Sequence, residues 1–188
     1  MSIKNIVKNT SNKFLNLFTL EVDNGKNVFP YYIASRRKKE ELACVTKNHN
    51  KCDAVMIVPI VYGKGIVMIK QYRPAIDDYI YEFPAGLIDP GENIKETAKR
   101  ELFEEIGLEA KECHEFIKPS YTSVGMTDET CSIYFAYVNG EPTNKYNTEH
   151  ESIEIKTILF EEIEELLENN VVSIKTSLML RYIMDMEE

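Results

Sequence analysis

The sequence predicts an α/β protein, a mixed β-sheet packed between helices with a small β-hairpin subdomain ahead of it. Three observations lead there. Short runs rich in Val, Ile, Tyr and Phe recur between residues 14 and 83, a helix-periodic segment sits at 94–106, and further strand-like runs give way to amphipathic helices at the C-terminal end. The order strands, helix, strands, helices is that of a sheet with helices against its faces. The division expected is an N-terminal β subdomain over residues 1–50 and a main domain over 51–188.

A chain of 188 residues with 44% hydrophobic and 28% charged residues has ordinary globular composition, and a domain of this size buries about 70% of its unfolded surface. The net charge of −9 speaks against a nucleic-acid backbone or an anionic membrane as partner, because both recruit basic surface. The opening MSIKNIVKNTSNKF lacks the apolar core of a signal sequence, and no apolar run reaches the ~20 residues of a membrane span. Cys44, Cys52, Cys113 and Cys131 show no C-x-x-C or zinc-finger spacing, so buried free thiols and a cytoplasmic location are expected.

Along the chain, a polar lead-in precedes residues 14–22 (FLNLFTLEV), which alternate loosely. Asp23-Asn24-Gly25 is a turn, and residues 28–34 (VFPYYIA) resume as a strand, with Pro30 favouring an edge. The basic run Arg36-Arg37-Lys38-Lys39 reads either as a solvated turn or as a clamp for a ligand phosphate. Residues 54–61 (AVMIVPIV) and 66–72 (IVMIKQY) form a second hairpin around Tyr62-Gly63-Lys64-Gly65, and residues 79–83 (YIYEF) a further short strand. All of these lead the chain into a Gly/Pro loop at Gly86.

Asn93 can cap a helix, with Glu96 three positions on, and Gly107 suits its end. Ile94, Ala98, Leu102 and Ile106 make the buried stripe. At 100° per residue Glu101, Glu104 and Glu105 occupy a sector about 100° wide on one flank of that stripe. Strands are expected near 113–118 and 132–138, joined by a loop over 122–129. A strand at 152–159, a short helix at 161–168 and an amphipathic helix at 175–186 complete the chain.

Three carboxylates gathered in one helical sector repel one another unless a cation lies among them. Hard divalent ions prefer such oxygen ligands, shared with substrate phosphates and water. Glu101, Glu104 and Glu105, with a backbone carbonyl from the turn at Ala85-Gly86, could supply the protein side of a site for phosphate-anhydride hydrolysis. Taken singly, each glutamate reads better as part of a solvent-facing helix in which Glu96 and Arg100 form an i,i+4 pair.

Taken together, residues 86–108 (GLIDPGENIKETAKRELFEEIGL) read Gly, five residues, Glu, seven residues, Arg-Glu, an aliphatic, any residue, Glu-Glu, any residue, Gly, an aliphatic. At average composition such a match arises by chance roughly once in 10^8 to 10^9 start sites. The stretch resembles a complete Nudix box, and the β-rich flanks resemble the α/β/α sandwich of the Nudix hydrolases. That resemblance implies metal ligation by Glu101 and Glu105, with Glu104 as a further ligand or a base. It also implies the main-chain oxygen of Ala85 as a ligand, Arg100 orienting the glutamates by salt bridge, and Mg²⁺, or alternatively Mn²⁺, as the ion. The reaction implied is cleavage of a nucleoside diphosphate linked to a moiety X.

Gln71-Tyr72-Arg73-Pro74 and residues 82–89 (EFPAGLID) resemble the ADP-ribose pyrophosphatase branch of that family. The N-terminal hairpin resembles the segment that helps build a homodimer there. This places Arg73 and Glu82 near substrate; Arg36 and Arg37, on the clamp reading of the basic run, are further candidate contacts, and Glu129 either touches the ligand or solvates its loop. Residues 122–129 (TSVGMTDE) match the branch's substrate loop except that Val124 stands where a proline is usual, which weakens the case for ADP-ribose itself. Glu149-His150-Glu151 sits where the branch places a loop glutamate acting as ligand or general base; Glu151 is preferred, with Glu149 close behind. The alternatives are another nucleoside diphosphate sugar as substrate and, outside enzymes, a non-catalytic ADP-ribose sensor.

Overall fold

The computed structural model describes residues 1–146 and 152–187. Two compact units form, Met1–Asp53 with Lys118–Cys131, and Ala54–Ile117 with Ser132–Glu188.

In the first unit, strands β1 (Ser2–Lys8), β2 (Asn16–Asp23) and β3 (Val28–Ser35) make an antiparallel sheet in that order. The β2–β3 turn closes as its residues dictate. Asp23 Oδ1 accepts from the amide of Gly25 at 2.7 Å, and Gly25 takes the positive φ of 85° that a side chain would resist. Strand β1 lies within what the sequence presents only as a polar lead-in. A register shift between Ile3 and Asn5 breaks its alternation, so Ile3 and Ile6, three apart rather than two, both pack on the core of Phe18, Leu20, Ile33 and Leu42. A bulge of this kind hides a strand from any period-2 reading. The opposite face of this sheet leaves Leu17, Val28 and Tyr32 exposed.

A short helix α1 (Ala43–Thr46) follows, its Ala43 amide bonded to Asp128 Oδ2 at 2.9 Å. The segment 122–129 returns to β3. The Ala34 amide donates to Met126 O at 2.9 Å, and the Tyr31 hydroxyl donates to Gly125 O at 2.7 Å.

The second unit is built on strands β4 (Ala54–Val61), β5 (Gly65–Arg73), β6 (Asp78–Glu82), β7 (Ala85–Leu87), β8 (Ala110–Tyr121), β9 (Thr130–Val138) and β10 (Ile153–Leu159). They form one seven-stranded sheet in the order β10-β5-β4-β9-β8, with β6 on β5 and β7 on β4. Strands β4 and β5 pair beside their turn at Ile60↔Ile66, whereas the start of β4 takes β7 as its partner, at Ala54↔Leu87, Val55↔Gly86 and Met56↔Ala85. At three residues β7 is too short for any periodicity to announce it, yet it pins the backbone that leads into the acidic helix.

That helix is α2 (Ile94–Ile106). Asn93 caps it by accepting from the Glu96 amide at 3.0 Å, and Gly107 ends it at φ 70°. Ala98, Leu102 and Ile106 are fully buried against Val55, Ile57, Val67 and Ile69 of the sheet. Burying Leu102 or Ile106 contributes roughly 1.5–3 kcal/mol each, so packing rather than helix propensity holds α2 in place. Helices α3 (Ile163–Asn169) and α4 (Ile174–Glu187) follow β10. All four cysteines are thiols rather than disulfides; Cys113 and Cys131 are buried, Cys44 and Cys52 half-buried. No helix among the described residues is long and apolar enough to cross a membrane.

Candidate active site

The site is assembled where β7 meets the flank of α2. Arg100 is its hub. The guanidinium has five N–H donors in a fixed plane, and each has an acceptor. Nε and Nη2 grip the two oxygens of Glu92 at 3.1 and 2.9 Å, and Nη2 also reaches Leu87 O at 3.2 Å. Nη1 holds Glu101 Oε1 at 2.7 Å and Glu104 Oε2 at 3.0 Å. One cation thus gathers three glutamates, two from one turn of helix and one from the preceding loop. Forked pairing with Glu92 is the geometry that distinguishes arginine from lysine.

The electrostatic consequences run both ways. The Arg100 guanidinium, aided by the Thr97 hydroxyl and opposed by partial burial, holds the Glu92 carboxyl down at about 2 against an ordinary 4.5. In return Glu92 first, then Glu101 and Glu104, raise the Arg100 pKa against the desolvation that would lower it. Arginine is charged at every relevant pH in any case.

Two backbone features complete the arrangement. A Cβ added at Gly86 would lie 1.9 Å from the Glu101 carboxylate, so the bare backbone there is what admits that carboxylate. Glu105 is buried, and one of its oxygens accepts from the Ala85 amide at 3.1 Å. Of the three helix glutamates Glu105 is the most enclosed, Glu101 half-buried, and Glu104 the one open to solvent.

Among the described residues no three His, Cys, Asp or Glu side chains stand together as a closed metal-binding group. The reason is local: Glu101 and Glu104 are drawn to Arg100, and Glu105 to the Ala85 amide. The donor set nonetheless fits a hard divalent cation. It consists of carboxylates beside a backbone held open by glycine, with part of its negative charge balanced by Arg100.

The other residues singled out from sequence fall in separate places. Arg73 and Glu82 form an ion pair at 2.7 Å on the β5–β6 hairpin. In the first unit Arg36 lies 3.3 Å from Glu129. Arg37 is turned inward, with its side chain 3% exposed. It clasps both oxygens of Asp53 at 3.1 and 2.5 Å, and its Nη1 lies 3.8 Å from Asp128 without a hydrogen bond. Burial pulls the Arg37 pKa down, but the Asp53 contact together with the nearby Asp128 charge outweighs it and the net shift is upward. The phosphate-clamp reading of the basic run therefore narrows to Arg36 among these two arginines, because the guanidinium of Arg37 is committed within the protein. Glu149 and Glu151 lie outside the described residues. Sequence reasoning missed Thr97, a fully buried polar residue of α2 whose hydroxyl lies 2.8 Å from Glu92. Its signal was slight, a threonine one turn before Glu101.

The family model for the NUDIX domain matches residues 50–180. The chain belongs to the Nudix family. It is a Nudix hydrolase, as the box at 86–108 indicated, with the mixed sheet and helices of that fold and a separate N-terminal three-stranded sheet. Relatives agree. It is 33% identical over 132 residues to ADP-ribose pyrophosphatase of Bacillus subtilis, a match covering 69% of this chain and 71% of the relative. It is 31% identical over 132 residues to methanol dehydrogenase activator of Bacillus methanolicus, with the same two shares. A shorter match, 44% over 79 residues, covers 39% of this Nudix protein and 41% of ADP compounds hydrolase NudE of Escherichia coli. Among solved structures, an ADP compounds hydrolase superposes with a TM-score of 0.73 at 25% identity, covering 99% of this chain and 95% of the other. Nudix hydrolases use a divalent metal and act on small nucleotide derivatives, in keeping with the donor set around Arg100.

Proposed function

We propose that this Nudix hydrolase cleaves the pyrophosphate bond of a nucleoside diphosphate linked to X, with ADP-ribose as the favoured substrate and Mg²⁺ as the metal. The observation that carries the reading is the Arg100 hub, which holds Glu101 and Glu104 on one guanidinium nitrogen and sets Glu101 beside the bare backbone of Gly86. The names of the B. subtilis and E. coli relatives favour ADP-ribose and its analogues.

Glu101 and Glu105, with the main-chain oxygen of Ala85, would hold the ion, and Glu104 stands as a further ligand or base. When bound, Mg²⁺ supplies Lewis acidity at the phosphate oxygens and at the attacking water. Arg100 keeps the carboxylates oriented and offsets their mutual repulsion. A carboxylate takes the proton as water attacks phosphorus and the anhydride oxygen leaves. Glu104 can serve, as can Glu151 or, next in preference, Glu149, outside the described residues. Water and ADP-ribose then give AMP and ribose 5-phosphate. Arg73 with Glu82, and Arg36 with Glu129, are the candidate substrate contacts, while Arg37 acts on the fold of its own unit. The exposed Leu17, Val28 and Tyr32 on the outer face of the N-terminal sheet support a homodimer.

The test is a Mg²⁺-dependent activity screen over ADP-ribose, other nucleoside diphosphate sugars, dinucleoside polyphosphates and nucleoside triphosphates. The highest kcat/KM is expected on ADP-ribose. A higher value on another sugar nucleotide would reassign the substrate, and tight ADP-ribose binding without turnover anywhere would identify a sensor.

A further inference from the structure

Thr97 sits inside α2 next to Ala98 of the buried stripe, and both are fully buried. An aliphatic side chain would serve packing there equally well, so the hydroxyl calls for a reason. A buried hydroxyl must find an acceptor, and two are in reach, Glu92 Oε2 at 2.8 Å and the Asn93 carbonyl at 3.2 Å. The carbonyl four residues back is the ordinary partner of a helical threonine. Here the carboxylate is the closer and the charged one, and charge-assisted bonds are the stronger class.

Glu92 Oε2 therefore accepts from two sides, Thr97 Oγ1 at 2.8 Å and Arg100 Nη2 at 2.9 Å. Its other oxygen accepts from Arg100 Nε at 3.1 Å. Without the hydroxyl, Glu92 would keep its fork with Arg100 but lose its side-chain tie to the helix interior, and the pair could then swing together. Glu101 and Glu104 both hang from Nη1 of that same guanidinium plane. Any rotation of the plane moves both carboxylates.

We propose that Thr97 is a positioning residue of the metal site. It anchors Glu92, Glu92 fixes the plane of Arg100, and Arg100 sets the placement of Glu101 and Glu104. This rests on the reading of those glutamates as metal ligands.

The experiment measures Mn²⁺ affinity of the whole protein by electron paramagnetic resonance, together with kcat and KM, for wild type, Thr97→Val and Thr97→Ser. Thr97→Val is expected to weaken Mn²⁺ binding about tenfold, in the range typical for groups that orient metal ligands, while Thr97→Ser stays within about twofold of wild type. The loss should fall on kcat more than on KM, with an unchanged circular dichroism spectrum. On a Glu92→Gln background Thr97→Val should add no further loss of Mn²⁺ affinity, because its effect travels through Glu92, whereas a purely structural threonine would show its full loss there as well. Should Thr97→Val not fold, Thr97→Ala takes its place in each comparison. Wild-type Mn²⁺ affinity in the hydroxyl-free variant, or its full loss persisting beside Glu92→Gln, overturns the inference. Absence of Mn²⁺ binding by the wild type would instead overturn the metal reading on which it rests.

Discussion

Two arginines of this chain each clasp carboxylates in forked geometry, and they do opposite things. Arg100 is partly open to solvent and holds three glutamates that come from within thirteen positions of one another. Arg37 is sealed from solvent and holds Asp53, sixteen positions on, with Asp128 nearby from a distant part of the chain. What separates them is the balance of acid to base around each guanidinium. Excess acid around a half-open guanidinium leaves carboxylate capacity for a second cation. A buried one-to-one fork leaves none, and serves to tie the segment after β3 to the residues ahead of β4.

Breaking the two regions should therefore give different symptoms. The largest effect is expected at the open site. Glu105→Gln keeps the shape and the acceptor for the Ala85 amide but removes the charge, and it should cut kcat by roughly 10²–10³-fold, as loss of one preorganised electrostatic group does, while the thermal unfolding midpoint stays near that of wild type. Near-normal turnover would remove Glu105 from the metal site. Next comes Arg37→Met, which leaves Asp53 without its cation in a largely enclosed position, with only the Thr130 amide and hydroxyl, among the described residues, still bonded to it. Breaking such a pair costs about 3–5 kcal/mol, to be read as a lower urea midpoint. A stability change below about 1 kcal/mol would place Arg37 with the weak surface pairs instead.

Gly86→Ala follows. Its new methyl group meets the end of a side chain rather than backbone, so the fold can adjust, but Glu101 must move. We expect Mn²⁺ affinity to fall about tenfold or more with little change in stability; unchanged affinity would show that Glu101 binds no metal from its present position. The smallest effect is on pH dependence. The Glu92 carboxyl is depressed in the folded protein, so its contribution is complete above pH 4.5 and is lost as pH falls toward 2. Wild-type stability should decline across that window, and Glu92→Gln should flatten the decline; parallel curves would assign the acid sensitivity elsewhere.

The same contrast explains what could be read from the sequence. The α2 site was legible because its partners are local. The cap at Asn93 and the stripe of Ala98, Leu102 and Ile106 follow from helical geometry applied to adjacent residues, whereas the role of Arg100 came from the family resemblance, since geometry alone suggests Glu96 as its partner and the guanidinium instead meets Glu92, Glu101 and Glu104. Arg37 was not legible as a clamp, since nothing in a basic run states that one member meets an aspartate across a fold. Strand β1 was hidden by its bulge and β7 by its brevity. Thr97 escaped notice because its hydroxyl meets Glu92 in the loop ahead of the helix, a contact that helical periodicity does not announce.

Phosphorus NMR of ADP-ribose incubated with the protein and Mg²⁺ reads the proposed cleavage directly. The two pyrophosphate resonances should disappear together and be replaced by those of AMP and ribose 5-phosphate. Persistence of the pyrophosphate signals, or release of inorganic phosphate alone, would contradict it.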